Sequence, residues 1–379
     1  MLETLSNAPR DYSWGSVDLI PRLQGRVPSG IPEAEIWFGD HPGSPARVAG
    51  DQTLAAVRSA AGKAPLPYLL KILAASSSLS IQAHPSVAQA VAGFEREDAA
   101  GIPVDAPERT YRDRNHKPEI IVSLSERFRA LVGLRPLART RELLGALGEA
   151  GGVASLREAL AGADAASALR EVIAQVLEGG SADVVSDVSA AIVVADAPGF
   201  EEELDVLRAI VRDFPGDPGI VVALLMNLVV LHRGEAVFAP AGVLHAYQDG
   251  MGVELMAASD NVLRGGLTPK HIDVAELLRI VDTRPGVPAI LGRRDAAEPM
   301  IFDVGVKDFR LRRVTSSADG EVAMALAGPT IVLAVSGSPS VATAAREIDL
   351  APGEAAYADE ETELILRGEG TVYVAEPGS

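Results

Sequence analysis

The chain has 379 residues, enough for two or three compact units around a large core, and its hydrophobic fraction of 47% is that of an ordinary globular protein. A formal charge of -18 excludes nucleic acid as the expected partner, because a phosphate backbone needs a basic footprint. The absence of cysteine excludes disulfides and thiolate metal sites and agrees with a reducing compartment. Residues 1–14 carry Glu3, Arg10 and Asp11 with no apolar leader core, and the longest apolar run, 220–231, is broken by Asn227. A cytoplasmic protein with no membrane contact is expected, and no protein partner is evident. An anionic small molecule would need a local nest of cations in so acidic a chain. Arginine dominates the basic residues, and of the five lysines Lys71, Lys117 and Lys270 fall in or near the motif-bearing segments, while Lys63 and Lys307 do not.

Residues 1–136 read as short strands broken by Gly and Pro, with 79–83, 119–124 and 128–133 as the clearest. From 137 to 216 the text turns helical: 140–147, 165–177 and 201–212 combine Ala, Leu, Glu and Arg with apolar spacings of three and four. Asp217-Pro218 opens one more expected helix, strand character returns at 228–231 and from 237 to about 256, and a helix is expected over 268–281 behind Thr268 and Pro269. The rest is β-like, at 309–315, 322–326, 330–335, 363–366 and 372–375, and contains no histidine. The expected fold is mainly β with a helical insertion. Residues 1–136 and 217–285 would form a discontinuous catalytic β-sandwich, 137–216 the helical domain, and 286–379 a metal-free β-sandwich.

Three segments carry chemistry. In Gly234-Glu-Ala-Val-Phe-Ala-Pro240-Ala-Gly242-Val-Leu-His245 the Gly and Pro fix a turn that aims the imidazole. The string resembles the second motif of the cupin family, with Asp249 where that family usually has Asn. In Ser80-Ile81-Gln82-Ala83-His84-Pro85, strand alternation sends Gln82 and His84 to one face, where two polar groups in an apolar setting need a shared partner. In Asn115-His116-Lys117-Pro118-Glu119, the carboxylate opens an apolar strand and calls for a cation beside it. Together Gln82, His84, Glu119 and His245 offer two nitrogens and two oxygens, a set that suits one Zn²⁺ per chain. One carboxylate against a dication leaves positive charge for polarising a carbonyl or hydroxyl.

These strings, with Ala34-Glu35-Ile36-Trp37 and Ser259-Asp-Asn-Val-Leu-Arg-Gly-Gly-Leu-Thr-Pro-Lys270, resemble the type I mannose-6-phosphate isomerases in order and rough spacing. The resemblance implies a cupin jelly roll with a helical domain and a second C-terminal jelly roll. It implies zinc on Gln82, His84, Glu119 and His245, Arg264 as catalytic arginine, and interconversion of mannose 6-phosphate and fructose 6-phosphate through a zinc-assisted enediolate. Arg264 would stabilise the enediolate charge, since its cation persists at any working pH. His116, Lys117 and Glu254 are open candidates for proton transfer. Lys71, Lys117 and Lys270 compete for the phosphate, with Ser80 as donor. Tyr247 shares a face with His245, and Asp260 lies in the Gly-rich stretch beside the ligand. Two rival readings are a non-catalytic sugar-phosphate-binding cupin and a metal-dependent cupin oxygenase; the second leaves Arg264 and Lys270 without a task.

Overall fold

A computed structural model describes residues 1–48, 52–162, 164–294 and 299–378. Its centre is one long strand, His245–Ala257, which belongs to both layers of a 10-stranded sheet system. The first half pairs with Phe128–Leu134 and, at His245, with Gln82. The second half, from Gly250 onward, pairs with Tyr68–Ala75 on one side and Glu119–Ser123 on the other. A strand that passes from one layer to the other makes the corner of a jelly roll.

The corner has a register consequence. Arg129 stands opposite Asp249 and Ala130 opposite Tyr247, so Gln248 is one extra residue in the long strand, a β-bulge. Before it, Leu244 and Ala246 face the helices while His245 and Tyr247 face inward. After it the parity reverses: Val253 and Leu255 face outward and Glu254 faces inward beside Lys71. Gly250 permits the bend with φ 112, and a Cβ there would lie 2.9 Å from the Phe128 Cα.

Outward residues of these strands and of Glu35–Phe38, which pairs with Tyr68–Ala75, including Ile36, Phe38, Leu70, Ile72, Ile120, Val122, Val253 and Leu255, pack against Phe309 and against Leu311, Ile331, Leu333, Tyr357 and Tyr373 of a 6-stranded sheet. That sheet buries its other face against the 4-stranded sheet that carries Glu321–Ala325 and Glu363–Arg367. Strands covered on both faces explain the continuous burial of Tyr68–Ala75. The strands Phe128–Leu134 and Met226–Leu231 pair with each other and bracket the helical segment. Its helices, from Leu137–Ala146 to Gly219–Leu225, close around Leu169, Val188, Leu207 and Leu224.

Three expectations change. The strand Leu2–Leu5 pairs with Ala355–Ala358 in the 6-stranded sheet, not with the site-bearing strands. A helix, Val87–Ala99, stands where strands were expected, started by a capping box between Ser86 and Gln89. The helix expected over 268–281 spans only Val274–Ile280, because Asp273 caps it by accepting from the Glu276 N–H at 2.9 Å. Thr268 lies in a loop whose backbone is held by Asp217, which accepts from the N–H groups of Gly219 (2.7 Å), Leu267 (2.9 Å) and Thr268 (3.2 Å).

Candidate active site

The inward faces of these strands enclose a cavity of roughly 620 Å³. Across three adjacent strands, Arg264 stands opposite Gln82 and Gln82 opposite His245, so these residues share one side of it. His84, two residues along from Gln82, lies just behind. The turn before His245 is closed by Val243 N–H donating to the Pro240 carbonyl at 3.2 Å, with Gly242 at φ 80. Gly242 N–H also donates to the His84 carbonyl at 2.8 Å, which ties the two histidine segments together.

Nitrogen and oxygen atoms of His84, Glu119 and His245 converge within 4.8 Å of one another. His84 Nδ1 lies 2.7 Å from the Asn261 carbonyl and His245 Nδ1 lies 3.0 Å from the Val243 carbonyl. A carbonyl only accepts, so each Nδ1 carries the proton and each Nε2 presents a lone pair. Those lone pairs face an acceptor: Glu119 is 3.3 Å from His84 Nε2 and 3.1 Å from His245 Nε2. Among the described residues the buried His84 Nε2 has no hydrogen-bond partner. Three acceptors turned on one another, with the unprotonated edges of both imidazoles inward, fit a cation of zinc's preferences. Burial pushes the His84 imidazole down to about 4, which keeps it neutral and free to ligate. Burial also opposes the charge on Glu119, but the Lys117 ammonium, 2.7 Å away, leads the interactions that hold the carboxyl well below its ordinary range. Gln82 donates through Nε2 to Ser80 Oγ at 3.1 Å, leaving its carbonyl oxygen as the free acceptor.

On the cavity floor Lys71 lies 3.0 Å from Glu254 and 3.6 Å from Glu35, with its ammonium 5.0 Å from the centre of the Trp37 ring. Burial works against the Lys71 charge, but Glu254, Glu35 and Glu119 outweigh it and raise its pKa. Glu254 is shifted upward as well, by burial and then by Glu119 and Glu35, in spite of Lys71. Tyr247 is fully enclosed, edge-on to Phe128, and burial holds its hydroxyl protonated. At the mouth stand Arg264 and Lys270. Burial lowers the pKa of both; Arg112 then adds to the effect on each, and Arg264 adds to that on Lys270. Among the described residues neither side chain has an acidic partner.

The cavity gathers Gln82, Glu119, His245, Arg264, Lys117, Glu254, Ser80, Lys71, Lys270 and Tyr247. Two expected site residues lie elsewhere. His116 points away from Lys117 and Glu119, as alternation requires, and bonds Asp308 at 2.7 Å. Asp260 lines a separate cavity of roughly 460 Å³ and pairs with His41 at 3.2 Å. Residues not expected from sequence are Tyr12, Ser13 and Trp14 at the rim, and Asp213 and Phe214 from the end of the helix Glu201–Asp213. The helical segment carries no motif that marks them.

The fold and site together define a jelly-roll protein with a ligand set of two histidines and one carboxylate opening on a cation-rimmed cavity. The family description "Phosphomannose isomerase type I, catalytic domain" matches residues 2–137. Mannose-6-phosphate isomerase of Escherichia coli is 34% identical over 97% of this chain and 98% of its own length. The rat protein of that name is 30% identical over 88% of this chain and 87% of its own. A crystal structure of mannose 6-phosphate isomerase bound with zinc and yttrium superposes with a TM-score of 0.86 at 31% identity, over 100% of both chains. A mutant of the Salmonella typhimurium phosphomannose isomerase superposes with a TM-score of 0.89 at 30% identity, again over 100% of both. This chain belongs to the mannose-6-phosphate isomerase family.

Proposed function

We propose that the protein is a zinc-dependent isomerase that interconverts mannose 6-phosphate and fructose 6-phosphate, with one zinc held by Gln82, His84, Glu119 and His245. The observation that carries this is the convergence of two unprotonated imidazole nitrogens and a carboxylate within 4.8 Å, at the edge of a cavity with two cations at its mouth. Zinc supplies Lewis-acid polarisation of the sugar's carbonyl and hydroxyl oxygens. Lys270 and Ser80 bind the phosphate. Arg264, beside Gln82 and thus beside the metal ligands, offsets the negative charge that develops as the enediolate forms. Glu254 moves the proton between the two carbons: its raised pKa brings it toward working pH, and Lys71 and Tyr247 orient it. Lys117 is bound to Glu119 and secures its charge.

The same reading divides the chain into a jelly roll of 1–136 and 217–285, a helical insertion of 137–216 and a second jelly roll of 286–379, with Leu2–Leu5 reassigned to the last. Cytoplasmic location belongs to it as well, supported by the absence of cysteine. No helix among the described residues is long and apolar enough to cross a membrane. The test combines metal analysis with a coupled assay for fructose 6-phosphate. The expected result is about one zinc per chain, activity lost on chelation, and metal content lowered by His245→Ala and by Gln82→Ala. Full turnover by a metal-free preparation in chelator overturns the proposal.

A further inference from the structure

Asn261 sits where three site-bearing segments meet. It is 0% exposed, in the stretch between Ser259 and the short strand Leu263–Arg264. The antiparallel register sets Arg264 against Gln82 and Leu263 against Ala83; one step further it sets Val262 against His84, with Asn261 the next residue along. The Asn261 carbonyl is the acceptor 2.7 Å from His84 Nδ1.

The Asn261 side chain looks the other way, into residues 112–115. Its Oδ1 accepts from the N–H groups of Arg112 (2.7 Å) and Asp113 (3.2 Å). Its Nδ2 donates to the carbonyls of Asp113 (2.9 Å) and Asn115 (2.8 Å), and to Asp113 Oδ1 (3.2 Å). Asp113 returns the link by accepting from Ser259 Oγ at 2.9 Å and from Asp260 N–H at 2.8 Å. The amide thus takes two backbone donors and two backbone acceptors from residues 112–115, just ahead of Lys117 and Glu119 in the chain. Only an amide of this size offers both polarities to that segment.

We infer that Asn261 is a positioning residue for the metal and for catalysis: its backbone fixes the tautomer and aim of His84, its side chain sets Glu119 and Lys117, and its strand sets Arg264. The inference rests on the zinc reading above. It also accounts for two separate segments, those of residues 84 and 119, meeting in one cluster while Arg264 stands in register beside Gln82. Groups that orient metal ligands from behind typically contribute 10- to 100-fold in metal affinity or activity.

The test is zinc affinity by chelator competition, measured beside thermal unfolding of the zinc-free protein. The variants are Asn261→Ala and, as control, Asn227→Ala. Asn227 is also buried, and its amide donates to three carbonyls, of Val132, Gly133 and Gly286, at 3.0, 3.2 and 2.8 Å. Asn261→Ala should weaken zinc binding about 10- to 100-fold. Zinc-loaded, it should keep a reduced kcat with KM nearly unchanged, whereas Asn227→Ala should lose thermal stability and keep zinc. Should Asn261→Ala fail to fold, Asp113→Asn cuts the same knot from the other side, and it too should lower zinc affinity. Wild-type zinc affinity in Asn261→Ala, or in Asp113→Asn where that is the variant tested, overturns the inference. Equal zinc loss in the Asn227→Ala control overturns it as well. A wild-type protein that binds no zinc overturns the functional reading instead.

Discussion

Arg264 and Lys270 are cations on one loop, both without an acidic partner among the described residues, yet they stand in different places. Arg264 sits in the strand register beside Gln82, and Lys270 is exposed at the mouth. Arg264→Ala should therefore cut kcat by about 100- to 1,000-fold with little change in KM, the pattern for a charge met only in the transition state. Lys270→Ala should raise KM and leave kcat near normal. Steady-state kinetics on zinc-matched samples separate the two, and a KM-only effect at Arg264 reverses the assignment. At this scale the grouping of His84, Glu119 and His245 was legible because alternation and the Pro-Ala-Gly turn are local rules. His116 was misread for the same reason: adjacency in a motif does not say which face a side chain takes. Asp260 is close to Arg264 in sequence, but it follows a chain that turns toward Asp113 and His41.

The long strand His245–Ala257 shows what an element can hide from its sequence. Regular alternation would put His245 and Glu254 on opposite faces, and only the extra residue Gln248 reconciles them. No local signal beyond Gly250 and Gly252 announces that bulge. The helix Ala165–Leu177 was legible to the residue, because its apolar stripe repeats over several turns. The helix Val87–Ala99 was missed although Ser86 and Gln89 spell its start. The bend predicts the effect of Gly250→Ala. A side chain at φ 112, with its Cβ pressed on the Phe128 backbone, should cost on the order of 1–3 kcal/mol, read as a lowered thermal midpoint. Activity should fall further than zinc content, because the bend sets Glu254 relative to His245. A variant as stable and as active as wild type would show that the bend is dispensable.

Across the whole molecule, charged ties reinforce the apolar seam between the site-bearing strands and the 6-stranded sheet. Arg58, third from the end of the helix Leu54–Ala60, reaches Tyr357 and lies 3.2 Å from Asp359, and Lys63 lies 2.9 Å from Asp359. Burial pushes the Asp359 carboxyl up, but the Tyr357 hydroxyl, Lys63 and Arg58 outweigh it, and its pKa falls below the ordinary 3.8. A carboxyl depressed in the folded state contributes stability in full above its unfolded pKa and loses it as pH falls through the folded one. Asp359→Asn should therefore be less stable than wild type at pH 7, and the gap should close as pH drops below 3.8. Urea unfolding at both pH values checks this, and a gap that persists in acid refutes it. The seam has a further consequence in the order of synthesis. Among the described residues the strand Leu2–Leu5 pairs with Ala355–Ala358, so it must wait for a strand made far later in the chain. At translation rates of about 5–20 residues per second that wait is roughly 20–70 s, during which Leu2 and Leu5 have no sheet to join. The edge at Ala355–Ala358 is thus sealed by a segment that left the ribosome long before it.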